Sequence, residues 1–218
     1  MVASFFYIIM DIKIFEVGPF AENTYLLIQK NSAILIDPGF SNETEFQSFR
    51  KALGSINLEA IVLTHAHIDH VLGLQRVLKE FEVKVYVNSD DLFLWKNFGS
   101  QATMFGLNQV GFSFIPESLP KDDQFEVGDF EFMCLYTPGH SPDHTSLYFE
   151  SEGFVIAGDA LFNGSIGRTD LYKGSFEVLE KSIKEKLYTL PAETKVYPGH
   201  GPATTIDVER MNNPFVKG

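Results

Sequence analysis

All six histidines of this 218-residue chain lie in three short segments, and each segment directly follows an apolar run typical of a buried strand. The segments are THAHIDH at 64–70, GHSPDH at 139–144 and PGHG at 198–201. Imidazole is the commonest protein ligand for borderline divalent metals, and a metal site needs several imidazoles that converge from different strand ends. The pattern therefore favours a β-rich fold in which these strand ends approach one another.

The first segment carries the densest set of potential ligands. His65 and His67 are two residues apart and turn the same way on an extended backbone, whereas Asp69 and His70 follow where we expect the chain to bend into a helix. A lone histidine is more often a structural hydrogen-bonding residue. Four ligand-type side chains within six positions favour metal binding instead.

Two apolar strand-like runs end on single aspartates. Asp159 ends FVIAGD, where an unpaired buried carboxylate is costly, so a cation is its natural partner and helix capping is the alternative. Asp37, in ILIDPG, is interpreted as a turn residue or a hydrogen-bonding brace at a strand end. Five histidines and two aspartates are too many ligands for one tetrahedral zinc ion and suit two metals that share a bridge.

Charge and composition exclude several other classes of function. The chain has 17 basic and 29 acidic side chains, a net charge of −12, and no basic block that could displace counterions from nucleic acid. Its single cysteine, Cys134, excludes an intrachain disulfide framework and is expected to be a buried small hydrophobe. No run of 18 apolar residues is present, so we expect no membrane span.

The N-terminal residues 1–9 are apolar but lack the basic residues and the cleavage site of a secretory signal. Because Met10 opens a cleaner strand, we interpret residues 1–9 as an extension from an upstream start. We expect the protein to be cytoplasmic.

The remaining pattern predicts an α/β fold in a single domain over residues 1–218. Amphipathic spacing predicts helices at 43–53 and at 175–187, the second capped by Ser175 with Phe176, Leu179 and Ile183 facing inward. Strands are predicted at 11–17, 24–29, 33–37, 59–64, 84–87, 130–136, 145–150, 153–157 and 195–198. Two β-rich halves with helices outside their strands indicate a four-layer αββα sandwich. Residues 89–123 are expected to form a helix and a loop near the active-site mouth.

THAHIDH, followed in order by GHSPDH, AGDALF and YPGHG, resembles the metallo-β-lactamase superfamily over nearly the whole chain. Within it, IGRTDL at 166–171, PGHGPATTI at 198–206 and NPF at 213–215 resemble short glyoxalase-II-type hydrolases. The resemblance implies that one metal is held by His65, His67 and His140. It implies that Asp69, His70 and His200 hold the other metal, with Asp159 bridging the two. His144 matches a motif position that is not a ligand.

Such a site implies a hydrolase of a small acyl thioester similar to S-lactoylglutathione. Two divalent cations, zinc by preference with iron and manganese also suited, lower the pKa of a shared water to roughly 7 and make the bridging hydroxide the nucleophile. Asp69 is the predicted catalytic residue, because it would orient that hydroxide. The sequence shows no GxSxG motif that would supply a serine nucleophile instead.

The substrate contacts are less constrained by the sequence. Full-length glyoxalase II enzymes carry a C-terminal helical domain that helps to hold glutathione, and only 18 residues follow His200 here. We therefore expect that domain to be absent. Arg168, Tyr172 and Lys173 are the candidates for binding a carboxylate or a peptide-like tail, and an ordinary surface role is their alternative.

Four other classes of protein share parts of this pattern. A mononuclear iron persulfide dioxygenase has a related fold and shares the motifs around THAHIDH and GRTD, but lacks the PGHG continuation. A β-lactamase proper is disfavoured, because it would have Arg or Cys at the position of His70, or a cysteine ligand, and Cys134 is not placed for that. A metal-binding scaffold without catalysis is disfavoured by the intact ligand set. From the length of 218 residues, we expect no fused flavin domain.

Overall fold

The computed structural model of the chain describes residues 10–218, so the expected extension over residues 1–9 lies outside the described residues. The first half forms one six-stranded sheet whose spatial order follows the chain. β1 and β2 pair antiparallel, as do β2 and β3, whereas β3 to β6 run parallel. The strands are β1 (Asp11–Val17), β2 (Glu22–Gln29), β3 (Ser32–Ile36), β4 (Asn57–Val62), β5 (Lys84–Val87) and β6 (Glu117–Ser118).

The second half forms another six-stranded sheet and a short hairpin. Its strands are β7 (Asp123–Val127), β8 (Phe130–Tyr136), β9 (Thr145–Phe149), β10 (Phe154–Gly158), β11 (Leu161–Phe162), β12 (Ser165–Ile166), β13 (Lys195–Pro198) and β14 (Thr204–Thr205). The order in the sheet is β14-β13-β10-β9-β8-β7, and β11 pairs with β12 outside it. β10 and β13 are parallel neighbours, so their carboxyl ends lie at the same edge.

The helices are short, and among the described residues none is long and apolar enough to cross a membrane. They are α1 (Glu43–Leu53), α2 (Ile68–Val71), α3 (Leu74–Glu80), α4 (Phe93–Lys96), α5 (Phe98–Met104), α6 (Phe176–Ser182) and α7 (Ile206–Asn212). A π-helical turn at Ile183–Leu187 continues α6. The sequence predicted α1 with the bounds that the structure has. Between residues 89 and 123 it predicted one helix and a loop, whereas the structure has two short helices, α4 and α5, and the strand β6.

Alternation along the strands divides the core into three layers and confirms the αββα sandwich. In β3, Ile34 and Ile36 face the second sheet, whereas Ala33 and Leu35 face a cluster that includes Phe46 of α1. The inner faces of both sheets meet around a cluster of fully buried residues such as Leu27, Val62, Leu147 and Ile156. The third cluster packs the outer face of the second sheet against Leu179, Ile183, Leu187 and Ile206. Cys134 belongs to the middle cluster and is buried, as expected.

The cap of α6 is as predicted, but one of its inward residues is not. The Ser175 side chain accepts a hydrogen bond from the backbone N–H of Val178, and Leu179 and Ile183 are buried. Phe176 is 39% exposed, so its predicted inward position is wrong. The first turn packs on the loop at Gly139, whose carbonyl accepts from Ser175 N at 2.8 Å, and α6 reaches the core only from Leu179 onward.

Candidate metal centre

The ends of parallel strands bring the histidine segments and the aspartates to one edge of the sandwich. The segments that follow β3 and β4 supply Asp37 and the 64–70 loop, and those that follow β10 and β13 supply Asp159 and His200. The loop between β8 and β9 supplies His140. All seven side chains predicted as ligands fall in overlapping groups whose candidate donor atoms lie within 4.8 Å of one another: His65, His67, Asp69, His70, His140, Asp159 and His200.

His65, His67 and His140 form one group. His140 Nε2 lies 2.8 Å from His67 Nδ1 and 3.2 Å from His65 Nε2. The opposite nitrogen of His140, Nδ1, lies 2.8 Å from the backbone oxygen of Arg168 and must carry the proton, since that oxygen can only accept. A neutral His140 therefore directs a lone pair at its two neighbours, and this arrangement suits a shared cation.

Asp69, His70 and His200 form the second group. His70 donates Nδ1–H to Asp37 Oδ2 at 3.0 Å, which leaves Nε2 free to face Asp69 Oδ2 at 3.8 Å. Asp37 also accepts from the backbone and hydroxyl of Thr64, so it is the brace that the sequence analysis expected. Its carboxylate fixes both the tautomer and the ring orientation of His70, a common arrangement behind metal-binding histidines.

His200 lies in a loop that the first sheet holds in place. Its Nδ1 donates to the backbone oxygen of Phe20 at 3.1 Å, and its Nε2 lies 3.2 Å from Asp69 Oδ2. The side chain of Asn23 donates to the backbone oxygens of Pro198 and Gly201 at 3.0 and 2.8 Å. The contacts of Asn23 thus join β2 to the last histidine segment and align the two halves at the site.

Asp159 lies between the two groups. Its Oδ1 is 3.3 Å from His70 Nε2, and its Oδ2 is 3.5 Å from both His140 Nε2 and His200 Nε2. His144 Nε2 accepts the backbone N–H of Asp159 at 2.9 Å, so His144 supports the aspartate with the lone pair that a metal ligand would need. Asp159 is therefore the carboxylate that lies within 3.5 Å of ligand candidates from both groups.

The glycine before His200 allows the backbone to pass close to Asp159 and His70. A Cβ at Gly199 would lie 2.1 Å from Asp159 Oδ1 and 2.8 Å from His70 Cε1, distances that real Cβ atoms do not show. A Cβ at Gly201 would meet nothing within 4 Å, although its φ of +74° favours glycine. Glycine is therefore favoured on the two sides of His200 for different reasons. At Gly199 a side chain would clash with its neighbours, and at Gly201 the backbone conformation favours glycine.

The electrostatics of the two groups differ. Burial, with the neighbouring imidazoles, holds the pKa of His65 well below its usual range, and burial and His140 lower that of His67 to about 3. Burial opposes protonation of His70 as well, but the charges of Asp159 and Asp69 outweigh it and raise the pKa of His70. The group containing His65 and His67 is thus ready to bind a cation in its neutral form, whereas His70 holds a proton that a cation would displace.

Two buried atoms at the centre support the fit of this donor set to metal ions. Among the described residues, His70 Nε2 and Asp159 Oδ1 have no hydrogen-bond partner, although they face each other across 3.3 Å. Leaving buried polar atoms unsatisfied costs about 1–3 kcal/mol each. Imidazole nitrogens and carboxylate oxygens are the ligands preferred by zinc, iron and manganese, so the residues present fit divalent cations.

Glu22 and Asp143 were not found by the sequence analysis. Glu22 is buried behind His70, with Oε1 3.7 Å from His70 Nδ1, and burial raises its pKa well above the usual range. Asp143 Oδ2 accepts the backbone N–H of Ala66 at 2.9 Å, which ties the second histidine segment to the first, and burial raises its pKa to about 6. Asp143 lies inside the GHSPDH segment and could have been noticed there. No local pattern marks Glu22.

A cavity of about 560 Å³ opens onto the centre. Arg168 and Tyr172, two of the predicted substrate contacts, line it, but the third, Lys173, is outside the lining and pairs with Asp91 at 2.7 Å. Arg168 pairs through two hydrogen bonds with Asp170. The remaining lining residues are mostly apolar and come from the β1–β2 loop, α2, α4, α5 with the residue that follows it, the β11–β12 hairpin and the segment between β12 and α6: Phe20, Ile68, Phe93, Leu94, Gln101, Met104, Phe105, Phe162, Ile166 and Leu171.

Relatives of the chain include proteins named as metal-dependent hydrolases. A probable metallo-hydrolase of Bacillus subtilis, YqgX, is 39% identical over 207 residues, which cover 93% of this chain and 95% of that protein. The hydroxyacylglutathione hydrolase GloC of Haemophilus influenzae is 35% identical over 212 residues, which cover 95% of this chain and 98% of that protein. The chain therefore spans nearly the full length of both relatives.

Solved structures share the architecture. The crystal structure of BLEG-1, a B3 metallo-beta-lactamase, has a TM-score of 0.87 and 33% identity, covering 95% of this chain and all of that one. A di-iron-bound form of TTHA1623 has a TM-score of 0.84 and 36% identity, covering 94% of this chain and all of that one. A sequence profile described as the metallo-beta-lactamase superfamily matches residues 17–200, from β1 to the last histidine of the centre. With its sheets, its histidine segments and its relatives in agreement, the chain belongs to the metallo-beta-lactamase superfamily of metallo-hydrolases.

Proposed function

We propose that the protein is a two-metal hydrolase that cleaves a small acyl thioester. The observation that carries the proposal is the position of Asp159 between two groups of candidate ligands, with one carboxylate oxygen at 3.3 Å from His70 and the other at 3.5 Å from both His140 and His200. His65, His67 and His140 would hold one cation, and Asp69, His70 and His200 the other. The similarity to a hydroxyacylglutathione hydrolase over 95% of the chain supports a thioester as the substrate.

Bound divalent cations would supply Lewis acidity, which lowers the pKa of water towards roughly 7 and offsets negative charge that develops on a carbonyl oxygen. We expect the bound cations to be zinc. Because a similar protein was solved in a di-iron-bound form, iron should be tested beside zinc.

Asp69 is the side chain best placed to handle the attacking water. It lines the cavity, and its Oδ2 lies 3.2 Å from His200 Nε2, so both candidate ligands face the same point. His200 and His70 lower the pKa of Asp69 although burial opposes this, so Asp69 is a carboxylate that accepts a hydrogen bond from water. The role assigned to Asp69 is to orient the water oxygen toward the thioester carbon.

The reaction balances without any further reactant. A bond forms between the water oxygen and the carbonyl carbon, the C–S bond breaks, and the electron pair of that bond leaves with sulfur as a thiolate. The two protons of the water pass to solvent and to the thiolate. A thiolate is a good leaving group, so no residue is required as a general acid.

The direct test is thiol release by the purified protein loaded separately with zinc, iron or manganese. Acyl thioesters of glutathione and of a neutral thiol serve as substrates. We expect hydrolysis with at least one metal, its loss after treatment with a strong chelator, and its return when the metal is restored. Absence of thiol release with every metal and every thioester would contradict the proposal.

Substitution of His200 separates the hydrolase from the persulfide dioxygenase. A mononuclear iron site would use His65 or His67 with His140 and Asp159, and would leave His200 outside the ligand set. In a two-metal hydrolase, His200→Ala removes one cation per chain and reduces thioester hydrolysis by about 10²-fold or more. Unchanged metal content in His200→Ala, together with oxygen uptake by the wild type on glutathione persulfide, would establish the dioxygenase instead.

Cleavage of a β-lactam is the second candidate, because the likeness to a B3 metallo-beta-lactamase covers 95% of the chain at 33% identity. The same two groups of ligands could serve an amide carbonyl. A chromogenic cephalosporin should therefore be assayed beside the thioesters. We expect kcat/KM for the best thioester to exceed that for the β-lactam by at least 10²-fold, and the reverse ranking would favour the second candidate.

A further inference from the structure

We propose that the cavity beside the metal centre is a subsite for an apolar acyl chain several carbons long, and that its aromatic wall selects the substrate. The aromatic wall is defined here as Phe20, Phe93, Phe105, Phe162 and Tyr172, all of which line the cavity. This inference rests on the proposed thioester hydrolysis and specifies the substrate class. The chain would be on the acyl side of the bond that is cleaved, between the carbonyl carbon and sulfur.

The aromatic wall is packed before any substrate arrives. Phe93 and Tyr172 stack with their ring centroids 3.9 Å apart, and Phe20 meets Phe105 edge to face at 5.0 Å. Aromatic pairs in these geometries stabilise one another beyond the area they bury, so they form a firm surface. A firm apolar surface binds an alkyl or aryl group without first having to be ordered.

The aromatic wall is continuous with the candidate metal centre. Phe162 lies in the β11–β12 hairpin with its ring centroid 5.9 Å from that of His200. Both line the cavity, and His67, Asp69 and Asp159 line it as well. A thioester with its carbonyl at the centre therefore extends its substituents directly along the aromatic wall.

Several apolar side chains of the cavity are exposed to solvent. Met104 is 82% exposed, Phe105 53%, Phe93 43% and Leu171 40%. Exposed apolar groups that lie together commonly mark a binding site, because covering them removes apolar surface from water. A hydrocarbon chain in the cavity would cover these four side chains, whereas a polar tail would gain little from them.

The charges near the cavity disfavour glutathione as the group that is recognised. Among the described residues that line the cavity, Arg168 is the only lysine or arginine, and two hydrogen bonds already pair it with Asp170. Lys173 is paired with Asp91. The whole chain has a net charge of −12, which repels an anion. The two carboxylates of a glutathione thioester thus meet no unpaired lysine or arginine among the described residues that line the cavity.

The experiment compares acyl thioesters of one neutral thiol, N-acetylcysteamine, from acetyl to decanoyl, with the same acyl groups on glutathione. We expect kcat/KM to rise about fourfold per methylene until the cavity is filled. For one acyl group, we expect the neutral and glutathione thioesters to agree within about threefold. A flat dependence on chain length, or a preference of tenfold or more for glutathione, would overturn the inference.

A second experiment substitutes one residue of the aromatic wall and measures the effect on substrate selectivity. Phe105→Lys should lower kcat/KM for the octanoyl thioester about tenfold and shift selectivity toward glutathione thioesters, whereas Phe105→Leu keeps an apolar surface and most of the activity. Val110→Lys is the matched control, because Val110 is 77% exposed and lies outside the cavity lining. Equal effects of the two lysine substitutions would count against the aromatic wall as the selective element.

Binding separates a failure of this inference from a failure of the proposed function. Calorimetry with S-alkyl N-acetylcysteamine thioethers, which cannot be hydrolysed, measures the cavity alone. If affinity increases with alkyl length while no thioester is cleaved, the apolar subsite stands and thioester hydrolysis falls. If affinity is independent of alkyl length, the apolar subsite is excluded whatever the catalytic activity.

Discussion

At the scale of single residues, three histidines of the centre are held in place by hydrogen bonds from the ring nitrogen that faces away from the centre. His70 donates Nδ1–H to the carboxylate of Asp37, and His140 and His200 donate Nδ1–H to backbone carbonyls. In the neutral ring, a donor bond on one nitrogen leaves the lone pair on the other, so each ring turns toward the centre the nitrogen that can bind a metal. This orientation is present in the chain itself and depends on elements that are far apart in sequence.

Asp159 is the residue whose change should cost the most. Asp159→Asn keeps the side-chain shape but removes the charge that lies within 3.5 Å of His70, His140 and His200. We expect kcat for thioester hydrolysis to fall by about 10²-fold or more, roughly 3 kcal/mol of activation free energy. Steady-state thiol release checks this. Asp207→Asn, at a half-buried position in α7 outside the ligand groups and the cavity lining, is the control. Near-normal turnover by Asp159→Asn would reduce Asp159 to a structural role.

At the scale of elements, α1 supports the loops of the site without contributing a residue to the ligand groups or to the cavity lining. The N-cap of α1 is Asn42, whose side chain accepts the backbone N–H of Glu45 at 3.0 Å, and buried Phe46 and Phe49 fasten the helix to the first sheet. α1 packs the outer face of the sheet whose β3 and β4 lead into Asp37 and the first histidine segment.

Loss of that cap should lower stability without changing the chemistry. Asn42→Ala leaves a helix N–H without its partner, and we expect the free energy of unfolding to fall by about 1 kcal/mol. Chemical denaturation followed by circular dichroism measures this change. Ser48→Ala, at an exposed position in the interior of the same helix, is the control, and we expect it to be neutral within about 0.5 kcal/mol. Equal losses in the two variants would argue against the cap.

Elements were predictable from the sequence where one strong local pattern determines them. The spacing of Phe46, Phe49 and Leu53 predicted α1, and unbroken apolar runs predicted the buried strands. The orientation of Phe176 was not predictable, because it depends on where α6 crosses the loop at Gly139. Helical periodicity tells which residues share a face, but it does not tell where along the helix the contact with the sheet begins.

At the candidate metal centre, too, local patterns predicted some features and tertiary packing determines the others. Histidine segments that follow buried strands are a local signal, and the structure brings all of the predicted ligands together. The position of Glu22 beside His70 and the aromatic wall both bring together segments that are remote in sequence. In the aromatic wall, Phe20, Phe105 and Tyr172 come from three separate loops or helix ends. Their role follows from tertiary packing, which neither periodicity nor motif spacing encodes.

At the scale of the whole molecule, the two groups of ligands should respond differently to pH. Carboxylates raise the pKa values of His70 and His200 against the opposing effect of burial, whereas burial lowers those of His65, His67 and His140. A raised pKa means that protons compete with a cation as the pH falls, and a lowered pKa means that the ring stays neutral.

We therefore expect the cation at Asp69, His70 and His200 to be lost first on acidification. Dialysis of the loaded protein should leave two metals per chain at about pH 8 and close to one at about pH 5.5, with hydrolysis falling in parallel. Metal analysis after dialysis at each pH checks this. Simultaneous loss of both cations would contradict the assignment of different proton affinities to the two groups.

The central claim is that one chain holds two cations bridged by Asp159. Elemental analysis of protein expressed with ample metal and then dialysed at about pH 8 measures it directly. The account predicts two metal ions per chain in the wild type and fewer in His200→Ala. One metal ion per chain in the wild type, unchanged in His200→Ala, would contradict it.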